Sequence, residues 1–312
     1  MTRSQGQPAF KQKAKPWTTI GWQGITLPVH AEWHLARVQG NRDRGYLRVD
    51  DDERVRIELR WEKPARRPEK FGRIADRMLA QMEKMSRRKK ANFTVRRDVR
   101  ITMPPGNEME CFETRGDVAS CGCLTRCAAC GRVLLGRVLG LPREDLKTMA
   151  SRVLGGIADH PGPDGLDRWD VYDLKFVLPP TYMLQQTKMR TGAIELLFSD
   201  GTCEVDVRRL SLASIMLKEH TLTNFVVNYC YKELKPFEYR SADLDVNGHP
   251  GMGVTGPQTI RSRLLSHALR RRHVHLLAWQ CGDRIYIFRM TTPEAEDPRF
   301  LDLAQRVECH AE

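Results

Sequence analysis

Four cysteines within ten residues are the strongest chemical signal in the chain. Cys121-Gly-Cys123-Leu-Thr-Arg-Cys127-Ala-Ala-Cys130-Gly131 holds a Cys-x-x-Cys-Gly turn. Two thiolates can converge on one cation there, and the glycine supplies the backbone conformation that the turn requires. Cys121 and Cys123 would complete a tetrahedral four-cysteine site for a structural zinc ion, with Cys111 or His160 as the substitute for one of them. The two pairs stand closer together than in most two-knuckle zinc sites, so incidental thiols beside a hairpin are the competing reading. A redox Cys-x-x-Cys lacks the surrounding βαβ pattern here, whereas four thiolates would also admit iron–sulfur chemistry. Five of the nine cysteines fall between Cys111 and Cys130. An odd number clustered in this way fits reduced thiols or a metal site better than a disulfide framework.

The second signal is charge. The formal balance is +12, which favours nucleic acid, an anionic membrane surface or an acidic protein as partner, against the plainer reading of a basic solvated surface. Two segments concentrate it, Lys84–Arg100 and Arg261–His273. Arg87, Arg88, Lys89, Lys90, Arg96, Arg97, Arg270, Arg271 and Arg272 are the candidate phosphate-binding residues, because guanidinium groups bind phosphate bidentately. Phe93 lies within the first segment, but no run of aromatics interleaves to stack bases. Nucleic-acid binding would then go to the backbone and select sequence weakly.

Histidines and glycines offer less. His30-Ala-Glu-Trp-His34 has its glutamate in the wrong place for a zinc-protease helix. His273 and His275 share a strand face beside Arg270–Arg272, and positive neighbours oppose cation binding. Asn247-Gly-His-Pro-Gly-Met-Gly-Val-Thr-Gly256 fits neither the dinucleotide fingerprint nor the P-loop, and reads as a mobile loop between two strands, with His249 the histidine to test.

The elements that must position these residues follow from periodicity. Thr19–Leu27, Trp33–Val38, Tyr46–Val49 and Val55–Trp61 carry strand patterns, and in the last of them Val55, Ile57, Leu59 and Trp61 share one face. Phe71, Ile74, Ala75, Met78, Met82 and Met85 recur at helical spacing, a stripe that reads as core against the sheet. Strands at Phe93–Met103, Glu108–Thr114 and Arg132–Leu139 precede a helix from Arg143 to about Ala158. His160-Pro-Gly-Pro-Asp-Gly165 is the best linker. The second half is predicted to hold strands at Val171–Leu178, Tyr182–Met189, Ala193–Phe198, Cys203–Arg208, Phe237–Val246, His273–Cys281 and Arg284–Met290. Its predicted helices are Leu210–Lys218, Asn224–Leu234 and Pro298–Val307.

The halves repeat one another at an offset of about 150 residues, the size of a whole domain. Leu27-Pro28, Trp33, Gly45-Tyr-Leu-Arg-Val49 and Val55-Arg-Ile-Glu-Leu-Arg-Trp61 return as Leu178-Pro179, Tyr182, Gly192-Ala-Ile-Glu-Leu196 and Cys203-Glu-Val-Asp-Val-Arg208. Gly131-Arg-Val-Leu-Leu-Gly-Arg-Val138 returns as Asp283-Arg-Ile-Tyr-Ile-Phe-Arg-Met290. The expected architecture is α+β: a tandem duplication of a domain in which an antiparallel sheet is flanked by helices. A disordered basic N-terminus (1–16) precedes a first domain with the cysteine cluster (17–160) and a second, homologous domain (161–312).

The order of elements resembles that of the Mog1/PsbP-like superfamily. Its pattern is an opening strand ending in Leu-Pro before an aromatic, a helix, a strand reaching a glycine, then a strand and a terminal helix. Here these are Phe176-Val-Leu-Pro-Pro-Thr-Tyr182, Leu210–Lys218, Gly248-His249, His275–Met290 and Phe300–Val307. The resemblance covers most of each half, rests on no diagnostic motif and transfers no site residue. It implies a binding or assembly protein rather than an enzyme.

No apolar run approaches the roughly 20 residues that span a bilayer, and Met1–Lys15 has no apolar core of the secretory kind. A cytoplasmic protein without a transmembrane segment is expected. Three functions compete. The first is a non-catalytic scaffold or adaptor for a protein partner, with a structural zinc site. The second is a nucleic-acid-binding accessory protein. The third is an enzyme whose site is assembled between the lobes.

Overall fold

The computed structural model describes residues 16–64, 69–88, 93–265 and 271–309, with the backbone alone for residues 85–88, 93 and 265. The expected N-terminal tail, up to residue 15, lies outside the described residues. Antiparallel sheet dominates. The chain opens with a hairpin, β1 (Trp17–Trp22) and β2 (Ile25–His30), whose turn places Gln23 and Gly24 at positive φ. Five strands with an intervening helix follow: β3 (His34–Gly40), β4 (Arg44–Asp50), β5 (Val55–Glu62), α1 (Phe71–Arg88), β6 (Phe93–Arg97) and β7 (Glu108–Gly116). The half closes with β8 (Ala119–Arg126), β9 (Val133–Gly140) and α2 (Leu146–Gly155). Strands β3 to β9 form one seven-stranded sheet in the order β3-β4-β5-β9-β8-β7-β6.

The second half runs in the same sequence. A hairpin of β10 (Asp167–Val171) and β11 (Leu174–Leu178) leads to β12 (Met183–Arg190), β13 (Ala193–Ser199) and β14 (Glu204–Ser211). Three short helices follow, α3 (Ala213–Met216), α4 (Leu222–Tyr229) and α5 (Tyr231–Leu234). Then come β15 (Arg240–Val246), β16 (His249–Pro257), α6 (Ile260–Leu265), β17 (His273–Cys281), β18 (Arg284–Thr292) and α7 (Pro298–Gln305). Its seven-stranded sheet has the order β12-β13-β14-β18-β17-β16-β15. Counted from the first strand of each sheet, that order is the one found in the first half. No helix among the described residues is long and apolar enough to cross a membrane.

Each sheet carries helices on both faces, because both sides of its central strands are apolar. In the first, Leu135 faces Ala75 and Leu79 of α1 across a core shared with Phe112 and Leu124. Its neighbour Gly136 points the other way, where a Cβ would sit 2.6 Å from the Leu154 Cδ2 of α2. In the second, Ile285 and Ile287 join Val226, Cys230 and Leu234 of α4 and α5, while Phe288 on the opposite face meets Phe300 of α7. Asp145 and Asp297 cap α2 and α7 by accepting from Lys147 N and Arg299 N.

Two compact units emerge from the packing. Of the described residues, one comprises those in 16–19, 27–38 and 46–157; the other comprises those in 20–26, 39–45 and 158–309. The second unit thus borrows chain from the first half. Gly21 pairs with Asp170, the Trp22 ring meets Trp169 edge-on at 5.3 Å, and Arg42 forms an ion pair with Asp167. A four-stranded sheet, β11-β10-β1-β2, results.

Several sequence expectations are corrected. Thr19–Leu27 is a hairpin rather than one strand, turning at Gln23-Gly24, both at positive φ. The strand expected at Val171–Leu178 is β11, shortened to Leu174–Leu178, because Val171 ends β10 and Tyr172 turns the chain at positive φ. The expected helix at Leu210–Lys218 shrinks to α3, because β14 continues to Ser211 beside β18. The glycine-rich stretch is the strand β16, not a loop: a Cβ at Gly251 would lie 2.7 Å from Ala278 O, and one at Gly256 2.2 Å from Glu238 O. Those glycines permit close backbone approach, which weak strand propensity conceals.

Candidate functional site

The cysteines divide by their place on the β8–β9 hairpin. Cys121 and Cys123 are buried on β8, where Cys123 stands opposite Cys111 of β7. Burial pushes the Cys121 thiol up to about 12, and the Cys123 thiol is raised by its hydrogen bond to Cys111 and by burial. Such thiols are inert packing groups at neutral pH. Cys127 and Cys130 lie in the turn instead, one buried and one exposed, with ligand atoms within 4.8 Å of one another. Two backbone hydrogen bonds close the turn: Gly131 N donates to Cys127 O at 2.9 Å and Cys127 N to Arg132 O at 2.9 Å, and Gly131 takes φ +70°. Extended chain between Cys123 and Cys127 separates their Cα atoms by roughly 13 Å at the rise of a β-strand. The four thiols of the expected tetrahedral set therefore cannot close on one cation. His160, the proposed substitute, has Nε2 3.3 Å from Asp159.

A second group of soft donors lies wholly within the second unit. His249 follows the β15–β16 turn, Cys281 ends β17, and Cys309 follows α7. Their ligand atoms all fall within 4.8 Å of one another, and Cys309 Sγ is 3.4 Å from His249 Nε2. Both cysteine groups are sets of side chains that could hold a metal ion. The sequence singled out His249 but not its partners, because residues 249, 281 and 309 belong to no local motif.

The basic residues divide likewise. Arg96 is exposed on β6, whereas Arg97 is paired with Asp76 at 2.7 Å and Glu110 at 3.3 Å. Arg271 donates to Gln258 O, and Arg272 to Thr291 O, with Glu204 3.6 Å away. Arg87 and Arg88 end the backbone of α1, while Lys89, Lys90 and Arg270 lie outside the described residues.

Periodicity also missed a buried ionic cluster under α4 and α5. Asp206 on β14 accepts from Arg208 Nε at 3.0 Å and from Arg289 of β18 at 3.1 Å, and Arg208 donates on to Glu233 at 2.6 Å. Burial alone would raise the Asp206 pKa, yet the two guanidinium groups hold it below the usual carboxylate range. The first unit has a smaller version, in which Glu58 of β5 pairs with Arg137 of β9 and accepts from Tyr46 at 2.8 Å. Glu58 and Arg137 are direct cross-strand partners, as are Asp206 and Arg289.

One end of the second unit gathers exposed apolar side chains on strained backbone. Tyr172, at the β10–β11 turn, has φ +59° and is 48% exposed. Leu212, between β14 and α3, has φ +64° and is 51% exposed, with Ile215 66% exposed beside it. Ion pairs bind these turns together: Asp173 pairs with Arg209 and, at 2.6 Å, with Arg284. Asp283 of the β17–β18 turn accepts Ala213 N at 3.1 Å through its carbonyl and Ser214 N at 2.8 Å through its carboxylate.

No protein-family profile and no curated protein matches the chain. Among solved structures it is similar to the immunity protein TplEi of the T6SS from Pseudomonas aeruginosa, solved in complex with an "L" peptide. The match has 12% identity and a TM-score of 0.33, and covers 94% of this chain and 98% of that one.

Proposed function

We propose that the protein is a non-catalytic binding or assembly protein, built from two homologous modules of the Mog1/PsbP-like kind and acting in the cytoplasm. The carrying observation is the turn end of the second unit. A left-handed backbone costs a non-glycine residue roughly 1–2 kcal/mol, and the apolar side chains of Tyr172, Leu212 and Ile215 recover little of it by burial within the chain. Strain of this sort persists where surrounding structure holds it, and it gathers at functional positions. The ion pairs of Asp173 and the hydrogen bonds of Asp283 are that surrounding structure. An apolar centre with a charged rim is the anatomy of a protein–protein interface.

The duplication reading draws support from the shared strand order and from the Glu58–Arg137 and Asp206–Arg289 pairs. That none of the nine cysteines stands in a disulfide suits a reducing compartment. The nucleic-acid reading is weaker, since Arg97, Arg271 and Arg272 engage partners within the fold.

The test combines Leu212→Asp with Ile215→Asp. A partner identified by co-purification with the native protein is reconstituted from pure components and titrated. The wild type should bind it stoichiometrically, and the double variant at least tenfold more weakly with an unchanged thermal midpoint. Equal binding by the variant, or no stoichiometric complex with the wild type, overturns the reading.

A further inference from the structure

We propose that His249, Cys281 and Cys309 form a binding site for a soft divalent cation, with zinc the ion that this donor set selects. Two thiolates and one imidazole make a three-donor set, which leaves a fourth position open to water or another ligand. The geometry is close to what the ion needs. Zinc–sulfur and zinc–nitrogen bonds of about 2.3 and 2.0–2.1 Å at a tetrahedral angle set sulfur and nitrogen roughly 3.6 Å apart. Cys309 Sγ and His249 Nε2 stand at 3.4 Å, and all three donor atoms lie within 4.8 Å of one another.

The scaffold that brings them together does not depend on the donors themselves. Asn247, in the β15–β16 turn, directs its side-chain amide to Ala304 O and Val307 O at 3.4 Å each, which ties that turn to the end of α7. Glu308 N donates to Lys175 O at 2.9 Å and fixes the chain one residue before Cys309. Cys281 pairs with Arg284 at the end of the β17–β18 ladder, closed by Gly282 at φ +57°. Three chain segments far apart in sequence are thus held in register before any ion arrives. Cys309 is buried while His249 and Cys281 are half-buried, so solvent reaches one side and can supply the open position. A bound ion would cross-link the segment after α7 to two turns of the second sheet. Loading requires both thiols to ionise, so each zinc bound releases up to two protons.

The experiment uses the full chain carrying Cys127→Ser and Cys130→Ser, which removes the other pair of thiol donors. After chelation, this protein is titrated with zinc against a chromogenic chelator, and separately with cobalt, whose thiolate charge-transfer absorption reports sulfur ligation directly. One equivalent of zinc should bind, the cobalt form should show the thiolate band, and zinc should raise the thermal midpoint. Adding Cys309→Ser should weaken zinc binding at least a hundredfold and abolish most of the cobalt band. Adding His249→Gln should weaken binding about tenfold and preserve the band. Three outcomes overturn the site: no stoichiometric zinc in the double-serine protein, zinc affinity unmoved by Cys309→Ser, or a Cys281–Cys309 disulfide found by thiol counting of protein purified without reductant. Should Cys309→Ser unfold, the absence or presence of the cobalt thiolate band in the double-serine protein decides the matter alone.

Discussion

Asp170 sits on β10 with its side chain almost wholly buried, and its Oδ1 finds no hydrogen-bond partner. Lys175 Nζ is 3.8 Å from the other oxygen, too far for a good charged hydrogen bond. Burial therefore dominates, and the carboxyl is pushed up to about 7. The folded chain then holds this proton more tightly than the unfolded chain does. The stabilisation is complete below the ordinary carboxylate pKa and is lost as pH rises through about 7. Asp170→Asn keeps the shape of the neutral acid without its ionisation. The variant should flatten the fall in stability between about pH 4 and 7, and at pH 8 should be more stable than the wild type by about 2–4 kcal/mol. Chemical denaturation across that pH range is the measurement; a variant less stable at pH 8 would show that Lys175 compensates the charge.

At the scale of elements, two kinds of residue decide whether the second sheet closes. Asp206 is the anion between the guanidinium groups of Arg208 and Arg289. Asp206→Ala leaves both cations buried with Glu233 and, at 3.9 Å from Arg208, Glu195 as remaining acids, and should cost about 3–5 kcal/mol in a denaturant titration. Gly256 acts by its size. The Cβ of an alanine there would meet Glu238 O at 2.2 Å and Tyr239 Cα at 2.6 Å, both main-chain atoms that cannot rotate away. Gly256→Ala should therefore pull apart the start of β15 from β16 and lower the melting temperature. Gly72→Ala, in α1 with nothing within 4 Å, should raise stability by about 0.5–1 kcal/mol. If both alanines behave alike, the close approach at Gly256 is not what sets its identity.

These elements also show which parts of the fold could be read in the sequence. Alternation in Val55–Trp61 and helical spacing from Phe71 gave β5 and α1, since each has a single pattern facing a single core. The opening turns escaped because Gln23 and Tyr172 take positive φ without being glycine or asparagine, and Gly24 alone marks the first of them. β16 escaped because its glycines answer to neighbouring backbone rather than to strand propensity. In the cysteine cluster, spacing placed Cys127 and Cys130 in one turn but did not show that Cys121 and Cys123 belong to a strand, where each residue advances the chain by about 3.3 Å. The His249–Cys281–Cys309 group depends on pairings between distant segments, which no local pattern encodes.

For the whole molecule, the two seven-stranded sheets share one strand order. Yet the compact units do not simply divide the chain at its linker, because Ile20–Thr26 and Gln39–Gly45 pack with the second. That arrangement has a measurable consequence. A fragment of residues 161–312 lacks Gly21, the strand partner of Asp170, the Trp22 ring against Trp169, and Arg42, the ionic partner of Asp167. β10 would become an edge strand presenting a large indole to water, and Asp167, itself buried, would lose its counter-ion. Removing the contacts of one buried tryptophan costs about 3–5 kcal/mol, a large part of the stability of a domain this size. The fragment should unfold at markedly lower denaturant than the same unit in the intact chain, and the amides of Asp167–Val171 should lose hydrogen-exchange protection first. Fusing residues 16–46 ahead of the fragment should restore both. An isolated 161–312 fragment as stable as the intact unit, with β10 equally protected, would mean that the borrowed segments contribute nothing to the second unit's fold.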